Sequence, residues 1–467
     1  MRSRRAYDRR ASYVGAAPQM EPKKPKRGMY RSIQITLFFL VLFVLAVISW
    51  IIPLHPTESE AEKRELAKFP AFSVQALATG DYFDDINTWF SDTFPFRDVY
   101  VSLNTQFKSF LSPTDTTVHG DVEQGDEIPD EAKDPMEEEP VVEEPEEPSV
   151  DEPDHEIEEP DMTDVPVEQL GAILIAGDTA YEYYNFSQKA ADVYIRTVNR
   201  AASLLEGKAD VYDIIVPTSM DITLPASVRK GVNSADQRKA MDYMYDSMSD
   251  GVKKVDVYDV LRNHRDEYIF YRTDHHWTAL GAYYAYEKFC EVKGTEPASL
   301  EQDFTTVEYP GFLGSFYSDS GKKPALAGGD TVIAYVPNDT NSIAITQSDG
   351  SPLNWMVVSD VSTWSASSKY SCFIGGDNPW SVIDNPNVND GSACIVIKES
   401  FGNAFVPFLV PDYDKVYVVD YRSIAKVKSD KLSAIVDATG ATDVLFINNI
   451  SATRNESLMN AVASFVG

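Results

Sequence analysis

The stretch Tyr271–Thr278 contains an acid and a histidine two positions apart, Asp274 and His276, with a second histidine between them. A histidine can take the proton of a serine hydroxyl when a carboxylate holds its other ring nitrogen. Residues i and i+2 of an extended segment point to the same side, so Asp274 and His276 can lie together while His275 turns away. The spacing therefore predicts two members of a Ser-His-Asp triad.

Two other interpretations of this stretch stay open from spacing alone. Asp274 could simply cap the helix that is predicted to begin near Thr278, with both histidines packed or exposed. Asp274, His275 and His276 could instead bind a metal ion, although no remaining histidine or cysteine pair completes the ligand set. We expect no metal and no cofactor.

A serine that could serve as the nucleophile follows an apolar run far downstream. The run Ala393–Lys398 predicts a buried strand, Ser400 comes just after it, Gly402 follows, and a helical pattern begins near Phe401. Such a turn from strand to helix lifts a hydroxyl off the end of a sheet. The alternative is that Ser400 only caps the helix, as serines at helix N-termini often do.

Candidate hydrogen-bond donors for an oxyanion lie at the end of another apolar run, Phe373–Asn378. Glycine amides and an asparagine side chain can stabilise the negative oxygen of an acyl-transfer intermediate. We take Gly376, Asn378 and Asn403 as candidate oxyanion or substrate contacts. A tight turn that needs positive φ is the other explanation for the glycines.

Short apolar runs alternate with helical patterns over residues 169–467, and this alternation predicts βαβ units. The predicted strands are Ala172–Ala176, Asp213–Pro217, Ser371–Ile374, Ala393–Lys398, Val416–Asp420 and Val444–Asn448. The predicted helices are Lys189–Glu206, Asp236–Met248, Thr278–Val292 and a shorter one near Phe401, with a hairpin insertion over Thr331–Val358. We expect an α/β fold, a three-layer sandwich around a mostly parallel sheet, with ligand sites at the carboxyl ends of the strands.

Residues 33–52 contain no charged side chain and are long enough to cross roughly 30 Å of hydrocarbon. Ten lysines and arginines precede them against two acids, so the positive-inside rule keeps residues 1–32 in the cytoplasm as a basic tail. A cleaved signal peptide is the alternative, but there is no small-x-small cleavage site before Pro53. The sequence predicts a single-pass anchor in the cell membrane with an exported body.

An acidic, proline-rich linker is predicted over residues 113–168, between a helical segment at 58–112 and the main domain at 169–467. Its part Asp121–Glu168 carries 23 acidic residues, one lysine and eight prolines. Because such a composition has little to bury, we expect a structureless segment. A calcium-binding loop is the alternative, although the Asp-x-Asp-x-Asp-Gly spacing that wraps one ion is missing.

The net charge of −32 is concentrated in this linker, and the remaining body is only moderately acidic. That charge gives no reason to expect nucleic acid as a partner. Three cysteines, Cys290, Cys372 and Cys394, are an odd number, and the last two lie inside apolar runs. One bridge between Cys372 and Cys394 is the alternative, but we expect three free thiols that behave as small buried hydrophobes.

These motifs together resemble the DHHW protein family of Gram-positive bacteria, relatives of the periplasmic alginate O-acetylation proteins. The matching stretches are Glu65–Phe72, Phe90–Arg97, Arg272–Trp277, Gly311–Tyr317 and Lys398–Pro407. By this resemblance Asp274, His276 and Trp277 align with the acid, histidine and tryptophan of the family, and Ser400 aligns with its serine. The chain departs from the family pattern in having Glu399 where aspartate is expected, and in its acidic linker.

The resemblance implies an SGNH-hydrolase-like domain with a permuted order of motifs, on which the segment 58–112 docks. It also implies acyl transfer, in which Ser400 accepts an acetyl group and passes it to a sugar hydroxyl of a polysaccharide. The acetyl group has to cross the membrane, which implies a membrane-bound O-acyltransferase as the donor partner. A carbohydrate acetyl esterase and an inactive glycan-binding protein remain alternatives, because transfer and hydrolysis share one acyl-enzyme.

Overall fold

The computed structural model describes residues 58–59, 64–65, 68–69, 89, 93, 125–129, 132, 167–170 and 172–467. The chain divides into two compact units, Met1–Leu111 and Ser112–Gly467. The predicted cytoplasmic tail and membrane span, residues 1–52, lie outside the described residues. Within the described part, no helix combines the length and the apolar character needed to cross a membrane.

The first unit contains a short antiparallel pair, β1 (Glu58–Ser59) and β2 (Arg64–Glu65). These strands open the segment that was predicted to be helical, so its first residues depart from that prediction. Trp89 is helical, and its ring meets Phe69 edge to face with centroids 4.8 Å apart. The docking of this segment on the main domain stays a prediction.

The second unit contains the remaining strands and all the other described helices. The strands are β3 (Val167–Leu170), β4 (Ile173–Ala176), β5 (Thr179–Glu182), β6 (Asp210–Val216), β7 (Val252–Lys254), β8 (Phe304–Phe312), β9 (Asp330–Pro337), β10 (Ser342–Thr346), β11 (Pro352–Met356), β12 (Trp380–Asp384), β13 (Ala393–Lys398), β14 (Lys415–Asp420) and β15 (Asp443–Asn449). The α-helices are α1 (Gln188–Leu205), α2 (Ser219–Ile222), α3 (Ala226–Arg229), α4 (Gln237–Asp246), α5 (Tyr258–Asn263), α6 (Ala279–Lys293), α7 (Ser315–Asp319), α8 (Gly402–Phe405), α9 (Leu432–Thr439) and α10 (Glu456–Val466). Short 3-10 helices cover Pro324–Leu326, Ala366–Cys372, Val406–Asp412, Ile424–Lys426 and Ile450–Arg454.

The main sheet has eight strands in the order β11-β10-β12-β14-β13-β15-β6-β7. The five strands from β14 to β7 run parallel, and β12, β10 and β11 extend the sheet antiparallel. Strands β13 and β15 are buried along their whole length. Helices therefore cover both faces, which explains their nearly continuous apolar sequences. The prediction of a mixed α/β fold with a mostly parallel sheet is confirmed.

Alternate residues of the central strands enter two separate hydrophobic cores. Val396 and Leu445 belong to the core beneath α6 and α8, whereas Ile395 and Val444 belong to the core beneath α1, α4, α9 and α10. Helix α1 buries alanine, tyrosine, isoleucine, valine and leucine side chains at three- and four-residue intervals, the spacing that puts them on one face. The two cores therefore lie on opposite faces of the sheet.

Three predicted elements differ in the structure. Ala172–Ala176 contributes β4 to a separate antiparallel sheet, β3-β4-β5, instead of to the parallel sheet. Ser371–Ile374 is not a strand, because a 3-10 helix precedes Ile374 and the backbone turns with positive φ from Ile374 to Gly376. The hairpin predicted within Thr331–Val358 forms as β10 and β11, but it extends the main sheet.

Part of the predicted acidic linker is ordered against the main domain. The amide of Asp126 donates to the carbonyl of Phe186 at 2.9 Å, and its carboxylate accepts from the amide of Gln188 at 2.9 Å. A Cβ at Gly125 would lie 2.8 Å from the Phe186 nitrogen, so only glycine fits there. The prediction of a structureless linker therefore does not hold for residues 125–129. The three cysteines are free and buried, as predicted.

Candidate active site

Asp274, His276 and Ser400 form a continuous hydrogen-bonded series. Oδ1 of Asp274 lies 2.5 Å from Nδ1 of His276, and Nε2 of His276 lies 2.7 Å from Oγ of Ser400. Asp274 and His276 are buried. The structure thus brings together the three residues that spacing and resemblance proposed, in the order that a Ser-His-Asp triad requires.

The nucleophile candidate sits on a tight turn between β13 and α8. The amide of Gly402 donates to the carbonyl of Glu399, and the amide of Asn403 donates to that of Ser400. A Cβ at Gly402 would lie 2.5 Å from the Cβ of Lys398 and 3.0 Å from Ile447. Glycine is therefore needed for the turn to pack on β13 and β15, and this packing raises Ser400 at the carboxyl edge of the sheet.

The acid and the histidine come from the loop that precedes α6. Thr278 caps this helix, since its Oγ1 accepts from the amide of Gly281, so the alternative that Asp274 is the helix cap does not hold. A bridge between Phe270 and Trp277 closes the loop. The indole Nε1 of Trp277 donates to the carbonyl of Phe401 at 3.0 Å. This contact joins the acid–histidine loop to the nucleophile turn.

The chain at Gly314 and Ser315 fixes the position of the Asp274 carboxylate. The amide of Ser315 donates to Oδ2 of Asp274 at 2.7 Å. A Cβ at Gly314 would lie 2.2 Å from the Cβ of Asp274, so the chain approaches the acid more closely than any side chain permits. The loop is held from the other side by Asp330, which accepts hydrogen bonds from the amide and hydroxyl of Thr273.

Tyr370 contacts both His276 and Ser400. Its ring stacks on that of His276 with centroids 4.0 Å apart and an interplanar angle of 17°. Its hydroxyl donates to the main-chain carbonyl of Ser400 at 3.0 Å. The imidazole plane is therefore set by stacking as well as by its two hydrogen bonds.

Asp274 is charged in this environment. Burial alone would raise the pKa of the Asp274 carboxyl, but the facing imidazoles of His276 and His275 and the hydrogen bond from Ser315 hold it well below its usual range. An ionised Asp274 keeps the proton of His276 on Nδ1. Nε2 is then free to accept the proton of Ser400.

His275 does not turn away, contrary to the expectation from an extended segment. Residues 272–276 form successive bends, and the His275 ring lies 3.9 Å from that of His276, centroid to centroid. Its Nδ1 is 2.7 Å from Oγ of Ser315, and the side chain borders the cleft described below. Ligand atoms of Asp274, His275 and His276 all lie within 4.8 Å of one another. Both nitrogens of His276 already face Asp274 and Ser400, so these residues do not fit a metal ion.

The predicted oxyanion donors are engaged in protein contacts. The amide of Gly376 donates to the carbonyl of Phe373 at 2.9 Å. The amide group of Asn378 donates to the carbonyl of Gly375 at 3.2 Å, and that of Asn403 donates to Asp377 at 3.0 Å. Gly376 has φ of 79°, which fits the alternative of a tight turn. The role of Gly376, Asn378 and Asn403 as oxyanion or substrate contacts stays a prediction.

Four charged side chains form a cluster next to the nucleophile turn. Lys398 is fully buried and pairs with Asp377 at 3.1 Å and Asp420 at 3.2 Å. Arg422 contacts the same two carboxylates, at 2.9 and 2.5 Å. Partial burial would raise the pKa of Asp377, but Lys398 and Arg422 hold it well below its usual range. The cluster is thus a paired network, and its cations are already matched by carboxylates.

Glu399 is buried beside Ser400. Its Oε2 lies 3.1 Å from Oγ of Ser400 and accepts from the amide of Phe401 at 3.2 Å. Its Oε1 accepts from the amide of Asn449 at 3.0 Å. Burial raises the pKa of the Glu399 carboxyl, and Arg422 opposes that effect only in part.

A cleft of about 700 Å³ borders Ser400. Its lining comes from the end of β5, the start of α1, the 3-10 helix after β15 and the start of α10, together with His275 and the nucleophile turn. The lining side chains are mostly polar: Glu182, Asn185, Ser187, His275, Glu399, Ser400, Arg422, Asn449, Ser451, Arg454, Asn455, Glu456 and Ser457, with Phe401, Ala452 and Leu458. The cleft gives a second molecule access to the serine hydroxyl.

The amino-acid sequence matches the family profile described as DHHW protein over residues 62–159 and 137–419. The chain belongs to the DHHW protein family. A solved DHHW family protein from Eubacterium siraeum has 26% sequence identity and a TM-score of 0.57, covering 64% of this chain and 97% of that one. PatB1 of Bacillus cereus, solved with a sulfonyl adduct, has 17% identity and a TM-score of 0.51, covering 61% and 98%. No protein of curated function matches the sequence.

Each residue of the Asp-His-His-Trp stretch in this DHHW protein has its own contact. Asp274 binds His276, His276 faces Ser400, His275 borders the cleft, and Trp277 holds the nucleophile turn. The two-residue spacing in the sequence indicated that Asp274 and His276 pair. The role of the tryptophan follows only from the fold, because Phe401 is distant in sequence.

Sequence reasoning missed three residues that shape the site: Glu399, Gly314 and Tyr370. Glu399 was noticed only as a departure from the family pattern. Gly314 lies within the matching stretch Gly311–Tyr317, and that match was the available signal for it. Tyr370 had no signal, because its stacking on His276 depends on a loop whose path the sequence does not specify.

Proposed function

We propose that residues 169–467 form an SGNH-hydrolase-like, serine-dependent O-acetyltransferase that acetylates a cell-surface or secreted polysaccharide. One observation carries the proposal: the hydrogen-bonded series Asp274–His276–Ser400 opens into a polar cleft at the carboxyl edge of the sheet. Family membership supports it, since the chain matches the DHHW profile across the residues that supply this series.

The first half-reaction forms an acetyl-enzyme. Oγ of Ser400 attacks the carbonyl carbon of the acetyl donor while Nε2 of His276 takes the serine proton. The carbon–oxygen bond to the donor then breaks, and His276 returns the proton to the leaving group. Asp274 stays charged throughout and stabilises the imidazolium that forms between the two proton transfers.

The second half-reaction passes the acetyl group to the acceptor. A sugar hydroxyl gives its proton to Nε2 of His276 and attacks the acetyl carbonyl of the acetylated Ser400. The bond to Oγ breaks, and His276 returns the proton to the serine. Water that attacks in place of the sugar gives hydrolysis by the same steps, so the nature of the acceptor decides between transferase and esterase.

The cleft suits a polyhydroxylated, uncharged part of an acceptor. Arg454 donates to Glu182 at 3.0 Å and to Asn185 at 2.6 Å. Glu456 pairs with Lys189 at 2.8 Å. Because these cations already face carboxylates, an anionic group would gain little, whereas hydroxyls can exchange hydrogen bonds with the polar rim.

Residues 33–52 are proposed to anchor the protein in the cell membrane as a single span, with the domain outside and residues 1–32 in the cytoplasm. A membrane-bound O-acyltransferase is the proposed donor partner, because an acetyl group from the cytoplasm has to reach an exported active site. The linker 113–168 and the segment 58–112 then lie between the anchor and the catalytic domain.

The proposal is tested with purified full-length protein, a chromogenic acetyl ester and a neutral oligosaccharide. We expect the wild type to consume the ester faster with the oligosaccharide present and to yield O-acetylated sugar. Ser400→Ala should abolish both, whereas Ser359→Ala, at a buried serine outside the site, should not. Release of free acetate alone would make the protein an esterase. Equal ester consumption by the wild type and Ser400→Ala would reject the serine mechanism.

A further inference from the structure

The carboxyl group of Glu399 lies beside the nucleophile candidate and is bonded to an amide that could serve as an oxyanion donor. Its Oε2 lies 3.1 Å from Oγ of Ser400 and 3.2 Å from the amide nitrogen of Phe401. In many serine hydrolases the amide that follows the nucleophile is an oxyanion donor. In this protein that amide already donates to a carboxyl oxygen, so the chemical state of Glu399 bears directly on catalysis.

The hydrogen bonds around Ser400 indicate whether Glu399 is charged or neutral. The serine hydroxyl has one proton, but Nε2 of His276 at 2.7 Å and Oε2 of Glu399 at 3.1 Å both lie within hydrogen-bonding distance. With the His276 proton held on Nδ1 by Asp274, Nε2 is an acceptor, and so are both oxygens of a charged carboxylate. One of the two acceptors would then face a lone pair of Oγ.

A neutral Glu399 removes this conflict. Its O–H on Oε2 donates to Oγ of Ser400, the serine donates to Nε2 of His276, and Nδ1–H of His276 donates to Asp274. Oε2 still accepts from the amide of Phe401 through a lone pair, and Oε1 accepts from Asn449. Every donor in the series then has an acceptor.

The surroundings favour the neutral form. Glu399 is only 7% exposed, and an uncompensated charge at such a site is costly. The charged or titratable groups that face it from the neighbouring elements are His276, Tyr370, Asp377, Tyr421 and Arg422. Asp377 opposes a second negative charge, while the guanidinium of Arg422 is already paired with Asp377 and Asp420.

A charged Glu399 would also oppose the reaction itself. Attack by Ser400 places negative charge on the carbonyl oxygen of the substrate, and a carboxylate beside Oγ would repel it. A neutral carboxyl in the same position can instead donate a hydrogen bond, as protonated carboxylic acids do in some oxyanion holes.

We propose that Glu399 is a catalytic residue that acts as a neutral carboxylic acid, donating a hydrogen bond to Oγ of Ser400 at rest and to the oxyanion after attack. Its proton stays on Glu399 throughout, so no additional co-reactant is needed. The inference rests on Ser400 being the nucleophile of the proposed function, but it does not depend on the acetyl donor or the acceptor.

The test measures how fast a sulfonyl fluoride labels Ser400, by mass spectrometry of the purified full-length protein across the pH range. Above the pKa of Glu399 the wild-type rate should fall about tenfold per pH unit. Glu399→Gln carries a neutral donor at every pH, so it should lose this alkaline fall. Its NH2 group cannot accept from the amide of Phe401 as Oε2 does, so its maximal rate should drop, by no more than about tenfold. Glu287→Gln, which changes a half-buried acid on α6 whose pKa burial also raises, should keep the wild-type profile.

Two results would overturn the role of Glu399. One is an alkaline fall that persists in Glu399→Gln. The other is a loss of about 100-fold at every pH in a Glu399→Gln protein with an unchanged melting temperature, which would show that the charged form is needed.

Failure of this inference is distinguishable from failure of the proposed function. If Ser400 is labelled with the predicted pH profiles but no sugar is acetylated, the role of Glu399 holds and the transferase assignment fails. If sugar is acetylated while Glu399→Gln keeps the alkaline fall, the transferase assignment holds and the role of Glu399 fails. A wild type whose Ser400 takes up no sulfonyl group contradicts both.

Discussion

The indole nitrogen of Trp277 donates to the main-chain carbonyl of Phe401 at 3.0 Å, and Trp277 is fully buried. This bond connects two loops that belong to different parts of the fold. His276 and Ser400, the neighbours of these two residues in the sequence, are thereby held at a reacting distance of 2.7 Å. The separation of base and nucleophile is thus set by a contact between residues that take no part in the chemistry.

Trp277→Phe should weaken both stability and activity. The change leaves the carbonyl of Phe401 buried without its donor, which costs about 2 kcal/mol of unfolding free energy. The nucleophile turn then loses its fixed distance from His276, and ester turnover should fall at least about tenfold. Chemical denaturation and ester kinetics measure the two effects. Unchanged turnover in a destabilised protein would show that Trp277 has only a packing role.

Gly314→Ala should impair catalysis more than stability. The new methyl group would overlap Asp274, whose Cβ lies 2.2 Å from the position it would occupy. The carboxylate has to move away from Nδ1 of His276, and misplacement on this scale lowers turnover on the order of 100-fold. Gly328→Ala, at a glycine with open space around its Cβ position, is the matched control. Equal turnover in the two variants would contradict the role assigned to Gly314.

Asp213 should make the stability of the domain depend on pH. This carboxyl is completely buried and accepts a hydrogen bond from the Tyr194 hydroxyl, and burial raises its pKa to about 7. Because its folded pKa lies above the unfolded value of 3.8, its contribution is fully present below about pH 4 and is lost as the pH rises through about 7.

Asp213→Asn, which imitates the protonated form, should therefore remove this dependence and raise stability at neutral and alkaline pH by up to a few kcal/mol. Denaturant titrations of the two proteins between pH 4 and 8 measure the effect. Asp250→Asn changes an exposed acid and should leave the wild-type dependence intact. Parallel pH curves for the wild type and Asp213→Asn would show that Asp213 does not change its charge in this range.

The local pattern of the chain predicted its central elements well. Strand β13 has the predicted bounds, Ala393–Lys398, because a strand covered on both faces is apolar throughout. Asp274 and His276 were paired correctly, but the side taken by His275 was not, since the loop bends at successive residues. The side-chain amide of Asn378 donates within its own turn, a contact that was not predicted. Side-chain contacts in loops depend on loop paths, which carry little periodic signal.

The ordered part of the acidic linker should stabilise the N-terminus of α1. The carboxylate of Asp126 accepts from the amide of Gln188, the first residue of that helix. Asp126→Ala should therefore lower the unfolding free energy by about 1 kcal/mol. Glu127→Ala, which removes the neighbouring exposed carboxylate, should change it little. A thermal melt compares the two, and equal melting temperatures would mean that the contact adds no stability.

The acetyl-enzyme is the species on which the proposed mechanism depends. The protein is incubated briefly with a chromogenic acetyl ester, quenched in acid and digested, and the acetylated peptides are identified by mass spectrometry. We predict one acetyl group on Ser400 in the wild type and none in Ser400→Ala or His276→Ala. Asp274→Asn should form it on the order of 10³- to 10⁴-fold more slowly, and the double variant of Ser400 and His276 should be no worse than either single one. Acetylation of a different residue, or ester consumption that survives in Ser400→Ala, would contradict the mechanism.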